Sequence, residues 1–151
     1  MYFQKQSEEG EWFYFFGSSV DQKTGDVVYE EPVKHARARI RSMVPFLEEQ
    51  LSKRKKAVEH VYNPKTRAMD RVTYYPDQTP EEIKQERNDA YDYAITGLEG
   101  FKNRDTGEIL DCSRENKLDL MGNEVFNRYF ARCQQLLSAA GITAEEEREK
   151  N

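Results

Sequence analysis

The sequence predicts a single α+β domain, with β-hairpins and a basic strand in its N-terminal part and a helical C-terminal half. The length of 151 residues suits one domain with its own core. Apolar and polar residues alternate at 36–41, 57–62 and 71–75, whereas apolar residues recur with a helical period after residue 79. Because no repeat or low-complexity linker divides the chain, we expect one domain over residues 1–141 and a charged, disordered tail at 142–151.

The first predicted element is an aromatic β-hairpin. W-F-Y-F-F at 12–16 and D-V-V-Y at 26–29 flank a turn that contains Gly25. The aromatic run is too continuous for a strand with one wet face. Since successive side chains of a strand point to opposite faces, we expect its outward side chains to contact a second copy or another protein. The candidates for this contact are Trp12, Phe13, Tyr14, Phe15 and Phe16.

The next predicted element is a strand with one basic face. Residues 36–41 read A-R-A-R-I-R, so arginines alternate with small or apolar side chains. Pro45 suits a first helical turn, and we expect a helix over residues 45–55. Basic residues also cluster at the end of this helix. The candidates for a basic binding face are Arg37, Arg39, Arg41, Lys53, Arg54, Lys55 and Lys56.

This basic segment allows two interpretations. Contact with the phosphates of nucleic acid would use these cations directly. A solvated strand face and compensation of the helix dipole would explain the same residues without a ligand. Acidic residues outnumber basic ones over the whole chain, which has a net charge of −5. We therefore favour the second interpretation and keep nucleic-acid contact as the alternative.

A second hairpin and the clearest helix follow. A-V-E-H-V-Y at 57–62 and R-V-T-Y-Y at 71–75 alternate as strands on either side of a turn. Thr79-Pro80-Glu81-Glu82 is a capping box with proline at the first helical position. The apolar stripe after this box has helical spacing, and it predicts a helix over residues 80–96.

The segment after this helix carries strong signals of local structure. Gly97 and Gly100 lie where the helix must stop and the chain must bend. Asp105-Thr106-Gly107 supplies a turn between two short extended segments, with Gly107 free to adopt a positive φ. These signals predict a structural motif, because none of the residues forms a set for chemistry.

The C-terminal half continues with two helices. Ser113 is placed to cap a helix that begins at Arg114 and carries several apolar side chains as far as Met121. The apolar residues of 123–140 form one strongly amphipathic face, which predicts a long helix that ends at Gly141.

The residue types that carry most enzyme chemistry are few and scattered. His35 and His60 are far apart and fit no zinc spacing. Cys112 precedes a helix start, where the pKa of a thiol can fall, but no histidine is near it in sequence. Cys133 lies on the apolar face of the last helix and reads as core. We therefore expect a protein that is not an enzyme, with no catalytic residues, no metal site and no cofactor.

The sequence shows no sign of export or membrane insertion. The N-terminus, M-Y-F-Q-K-Q-S-E-E, lacks the cationic start and apolar core of a signal peptide. No apolar run approaches the ~20 residues that a membrane-spanning helix requires. We therefore expect a cytoplasmic protein that does not act at a membrane, with reduced thiols at Cys112 and Cys133.

One part of the chain resembles a known group of proteins. G-L-E-G-F at 97–101, the turn that follows it, the extended E-I-L-D-C and S-R-E-N-K-L-D-L-M at 113–121 are similar to a motif common in small proteins of tailed bacteriophages. In those proteins the motif typically begins G-W-E-G-V and continues with S-x-E-N before a Leu-rich helix. The resemblance covers about residues 94–137, and Leu98 stands where that family usually has tryptophan.

The resemblance implies a tail assembly chaperone or tail accessory protein, encoded by a phage or prophage and acting in the host bacterial cytoplasm. Such a protein would bind other tail proteins or copies of itself. The alternative is a virion structural adaptor or packaging protein that contacts nucleic acid through the basic strand. The aromatic strand and the apolar face of the last helix would suit protein contact, but each also reads as ordinary core.

Overall fold

The computed structural model contains a three-stranded antiparallel sheet with helices packed against one face. It describes the backbone of residues 8–150 and the side chains of residues 8–139. This is the predicted α+β class, with a helical C-terminal half. The elements in chain order are β1 (Glu11–Tyr14), β2 (Ser18–Val20), β3 (Val27–Tyr29), β4 (Arg37–Ile40), α1 (Val44–Lys53), β5 (Ala57–Asn63), β6 (Ala68–Tyr74), α2 (Pro80–Ala94), β7 (Ile95–Glu99), α3 (Arg114–Met121) and α4 (Glu124–Lys150).

The aromatic segment does not pair with residues 26–29. The predicted first hairpin is therefore wrong, because its first strand pairs with a different strand. β1 pairs with β4, with Phe13 opposite Ala38, and β4 pairs on its other side with β7. The turn at Gly25 instead joins β2 to β3. A turn signal identifies only the strands next to it, whereas β1 and β4 are brought together by contacts between distant parts of the chain.

The core lies between the sheet and α4. Ala38 and Ile40 point from the central strand into the interior, and both are fully buried. This confirms the alternation predicted for residues 36–41, whose arginines lie on the other face. α4 covers the buried face with one stripe of side chains at helical spacing: Phe126, Tyr129, Phe130, Cys133 and Leu137.

The predicted end of the helix over residues 80–96 is wrong. α2 begins as predicted, since the Thr79 Oγ1 accepts a hydrogen bond from the Glu82 N–H at 3.1 Å. It ends at Ala94, however, and residues 95–99 form β7 instead of continuing the helix. Ile95 and Leu98 pair with Ile40 and Ala38 of β4. The edge of β4 thus offers these residues backbone hydrogen bonds, which outweighs their helical periodicity.

The C-terminal predictions are confirmed in their starting points. The Ser113 Oγ accepts a hydrogen bond from the Asn116 N–H at 3.3 Å, and α3 begins at Arg114. Gly107 has the positive φ of +71° that its turn requires. α4 extends beyond Gly141, at which the sequence predicts its end. The prediction of a charged, disordered tail at 142–151 is not tested and stays a prediction.

α1 and the hairpin of β5 and β6 form a separate feature that we call the limb, residues 44–75. The remaining described structure, residues 8–41 and 78–139, is called the body. The limb matches its predicted elements closely, since the predicted helix over 45–55 is Val44–Lys53 and the predicted second hairpin is present. No residue of α1 is buried, and every residue of β6 is exposed. Within the described residues, no helix has the length and apolar character to cross a membrane.

Candidate protein-contact surfaces

The outer face of the sheet carries a stack of one tryptophan and two arginines. The Arg37 and Arg39 guanidinium carbons lie 4.2 and 5.3 Å from the Trp12 ring centroid. The Trp12 ring also covers Gly97, where a Cβ atom would lie only 2.8 Å from Trp12 Cη2. Glycine at this position of β7 therefore makes room for the indole ring, which stays 36% exposed.

The arginines predicted as a basic binding face are engaged within the chain. Arg37 Nε lies 2.7 Å from Glu99 Oε2, and this pairing lowers the pKa of the Glu99 carboxyl below its usual value. Arg39 pairs with Glu9 at 3.0 Å, and the Arg41 Nε donates to the Tyr93 carbonyl at 2.7 Å. The charges of Arg37 and Arg39 are thus already compensated by carboxylates. Nucleic-acid contact through this strand stays a prediction.

The five aromatic candidates divide between the core and the outer face. Phe13, Phe15 and Phe16 pack against the core. The Phe15 ring lies 5.1 Å from the Tyr129 ring in an edge-to-face contact. Only Trp12 and Tyr14 are exposed, and Tyr14 is 49% exposed. Contact of these two side chains with a partner stays a prediction, whereas the other three fill the core of a single chain.

The motif that carries the phage resemblance has structural roles in the body. Gly100 has a φ of +80°, and a Cβ atom there would overlap the His35 carbonyl oxygen. Phe101 is buried in the core beside Phe126, with ring centroids 5.6 Å apart. These positions fasten the chain after β7 to the segment that precedes β4. Gly100 and Phe101 of the motif therefore have packing roles in the body.

Three ion pairs that sequence reasoning missed join α3 to α2, and one of them places Arg114 Nη1 3.4 Å from Asp92 Oδ2. Arg114 Nη2 lies 2.7 Å from Asp89 Oδ1. Lys117 is buried, and its Nζ lies 3.0 Å from both the carbonyl and the Oδ1 of Asp92. The acids are three residues apart on α2, and the cations are three residues apart on α3. This matching spacing was the available signal, because residues three apart share a helix face.

An open cavity of about 460 Å³ lies beside the motif. Its aromatic floor includes Phe15, Phe101 and Phe126, and its rim includes His35 and Lys102. The Asn123 side-chain oxygen on the same rim already accepts hydrogen bonds from the backbone at the start of α4. The cavity can accept an apolar group, but it brings together no acid, base and nucleophile.

The cysteines lack the properties of reactive thiols. Both are free, and burial raises the pKa of Cys112 above its ordinary value, the opposite of what its place before a helix suggested. Burial raises the pKa of Cys133 to about 12. Among the described residues, no group of histidine, cysteine and carboxylate side chains could hold a metal ion.

The helix of the limb exposes an apolar stripe. Val44, Leu47 and Leu51 follow i, i+3 and i+7 spacing and are 55, 41 and 49% exposed. The opposite side of α1 contacts the body, where the Phe46 ring lies 5.3 Å from that of Tyr93. At the end of the helix, Arg54 Nη2 lies 2.8 Å from Glu86 Oε2. α1 is thus fixed to the body while its apolar stripe faces solvent.

The β5–β6 ribbon has two different faces, which follow from its register. The carboxylate face holds both acids of the ribbon, which accept hydrogen bonds from Tyr74 and Asn63. Its members are Ala57, Glu59, Val61, Asn63, Ala68, Asp70, Val72 and Tyr74. The basic face contains no acid, and Lys56 lies over the Tyr75 ring at one end of it. Its members are Val58, His60, Tyr62, Met69, Arg71 and Thr73, and it continues beyond the strand ends with Lys56 and Tyr75, which contact each other.

Apolar side chains are exposed on both faces of this ribbon. Val61 and Val72 are 50 and 43% exposed on one face, and Tyr62 and Met69 are 58 and 59% exposed on the other. Large contiguous apolar patches on a protein surface often mark a site of contact with another protein. Sequence reasoning identified the hairpin but missed it as a contact surface, because alternation predicts one buried face and this ribbon has none.

Comparison of the chain with protein-family models, with curated proteins and with solved structures finds no match.

Proposed function

We propose that this chain is a non-enzymatic tail assembly chaperone or accessory protein of a phage or prophage, acting through protein–protein contacts in the host bacterial cytoplasm. The resemblance of residues 94–137 suggests this class of protein. The observation that carries a contact function is the limb, where α1 and both faces of the ribbon expose apolar side chains. Such a surface suits a protein that covers the apolar face of another until assembly.

The limb offers two common ways to bind a protein segment. The stripe of Val44, Leu47 and Leu51 has the spacing with which an amphipathic helix enters an apolar groove. The outer edges of β5 and β6 can pair with an extended strand, since no third strand of the described residues joins the ribbon. The body anchors the limb through Phe46 and Arg54, so binding need not disturb the core.

A second candidate function is nucleic-acid contact by a packaging protein or virion adaptor. The observation that favours it lies in the limb and not in β4. Residues 53–75 contain seven lysines and arginines and two acidic residues, within a chain of net charge −5. A two-stranded β-ribbon can enter the major groove of DNA. The exposed valines and methionine make this the weaker candidate, because DNA offers few apolar contacts to match them.

Co-expression tests the protein-contact function. The chain is expressed with each protein encoded by its neighbouring genes, and we measure how much of each remains in the supernatant after centrifugation and co-elutes with the chain. We expect at least one tail protein to be retained, and Leu47→Glu/Leu51→Glu to abolish that retention. Ile109→Glu is the matched control, since Ile109 is 69% exposed on the body. Neighbouring genes without tail components, or retention that survives the limb variant, would contradict the proposal.

A further inference from the structure

We infer that the limb's basic face binds a second copy of this chain, on the acidic hairpin formed by residues 18–31. This inference deepens the proposed contact function by assigning a partner to one face of the limb. It is based on two exposed apolar surfaces of opposite charge that belong to the same chain.

The basic face presents unpaired positive charge beside apolar side chains. Arg71 lies between exposed residues of this face, and Lys65 and Arg67 lie at the tip of the ribbon. Within residues 8–139, no carboxylate lies at ion-pair distance from Lys65, Arg67 or Arg71. The two acids of the ribbon lie on its other face and do not neutralise this one. An acidic partner would therefore bind the basic face without first displacing an internal ion pair.

The acidic hairpin has the complementary composition. Its exposed apolar residues include Val20, Val27 and Val28, which are 47, 39 and 56% exposed. Its acidic residues are Asp21, Asp26, Glu30 and Glu31, with Lys23 as the one cation among residues 18–31. α4 holds the base of the hairpin in place, because the Arg128 Nε donates to the buried Ser18 Oγ at 2.7 Å. The hairpin is therefore a firmly held, acidic and apolar surface.

The two surfaces do not satisfy each other within one chain. In the part of the chain that the structure describes, no hydrogen bond, ion pair or ring contact joins residues 18–31 to residues 56–75. Two copies can make this contact twice in a closed two-fold dimer, or each copy can make it once in a ring or an open chain.

The dimensions of the ribbon predict a weak contact. Its seven-residue strands extend about 24 Å at ~3.4 Å per residue. One face of two such strands is smaller than the ~800 Å² that each partner buries in a standard interface. Association should therefore be reversible, concentration-dependent and sensitive to salt, because exposed charges are screened over about 10 Å.

Sedimentation velocity combined with light scattering measures the association. The full chain, with a monomer mass of 17.8 kDa, is examined from low micromolar to about 0.2 mM, at about 50 mM and about 500 mM salt. We expect the average mass at least to double at high concentration in low salt, and to return to the monomer value in high salt. A chain that stays monomeric under all of these conditions overturns the inference.

Charge-swapped variants identify the two surfaces. Lys56→Glu/Arg71→Glu and Asp26→Lys/Glu31→Lys should each be monomeric alone, because each makes both surfaces carry the same sign of charge. An equimolar mixture should associate again, since each reversed surface meets one of opposite sign. The matched control for the Lys56→Glu/Arg71→Glu variant is Lys84→Glu/Arg104→Glu, which makes the same change in net charge at exposed body positions and should associate like the wild type. Failure of the mixture to associate overturns the inference.

A fluorescent DNA duplex and a single strand of equal length test the competing ligand. We expect no binding by anisotropy at about 150 mM salt. The inference would be overturned in favour of nucleic acid by two results together. The chain would not self-associate, and it would bind DNA with micromolar affinity that Lys56→Glu/Arg71→Glu abolishes. The co-expression experiment depends on the α1 stripe, so loss of self-association and loss of client binding are distinguishable.

Discussion

The body and the limb use similar amino acids with opposite outcomes. In the body, aromatic and aliphatic side chains of β1, β4 and α4 pack together in one core. In the limb, Val61, Tyr62 and Met69 have the same apolar character and remain half exposed or more. The body buries its apolar residues because the sheet and α4 pack face to face there, whereas no second layer of the described residues packs on the ribbon. Apolar composition alone therefore does not distinguish a core from a contact surface.

The largest expected difference between the two regions comes from truncation of an aromatic ring. Phe130 is 2% exposed and meets Tyr91 edge to face, so Phe130→Ala should lower the free energy of unfolding by about 3–5 kcal/mol. Tyr62→Ala in the limb is the matched control and should change it by less than about 0.5 kcal/mol. Urea denaturation followed by circular dichroism measures both. Equal effects would mean that the limb is part of the core.

A methyl group added at Gly100 should have the next largest effect. Gly100→Ala should cost about 2–4 kcal/mol, because its positive φ disfavours alanine and the new Cβ meets the His35 carbonyl. Gly107→Ala has a similar φ but open space around it, and should cost about 1–2 kcal/mol. Because both glycines have a positive φ, the difference between the two urea midpoints measures the additional cost of the close contact at Gly100. A larger cost for Gly107→Ala than for Gly100→Ala would contradict the close contact between Gly100 and the His35 carbonyl.

Loss of a helix cap should have a smaller effect. Thr79→Ala removes the hydrogen bond to the Glu82 N–H at the start of α2, and we expect a loss of about 1 kcal/mol. Thr73→Ala, on the exposed ribbon, serves as the control and should leave the thermal midpoint nearly unchanged. An unaltered midpoint in the Thr79 variant would argue against the cap.

The ion pair between limb and body should have the smallest effect, and it should depend on pH. Hydrogen bonds from Gln78 and Arg54 lower the pKa of Glu86. The pKa of Glu86 is lower in the folded state than in the unfolded state. The ionised carboxylate therefore stabilises the fold at pH values above the ordinary pKa of glutamate, and this stabilisation is lost as the pH falls through the folded-state pKa. Glu86→Gln should cost less than about 1 kcal/mol at pH 7. A difference from the wild type that grows below pH ~4 would contradict this assignment.

Features that depend on neighbouring residues were determined by the sequence itself. The caps at Thr79 and Ser113, the turn at Gly107 and the alternation of β4 all appear where the sequence predicts them. Each of these features involves groups within a few residues of one another, so local residue types are sufficient to predict it. The α+β class follows from the same local periods.

Features that depend on distant residues were decided only by the tertiary structure. β1 pairs with β4 and not with its sequence neighbour, β7 replaces the end of a predicted helix, and the β4 arginines meet partners such as Glu99. The ribbon shows that burial, too, depends on distant residues. Its sequence alternates as a half-buried strand would, but every residue of β6 is exposed. The physical reason is that burial and strand pairing are properties of two surfaces brought together, and a local pattern describes only one of them.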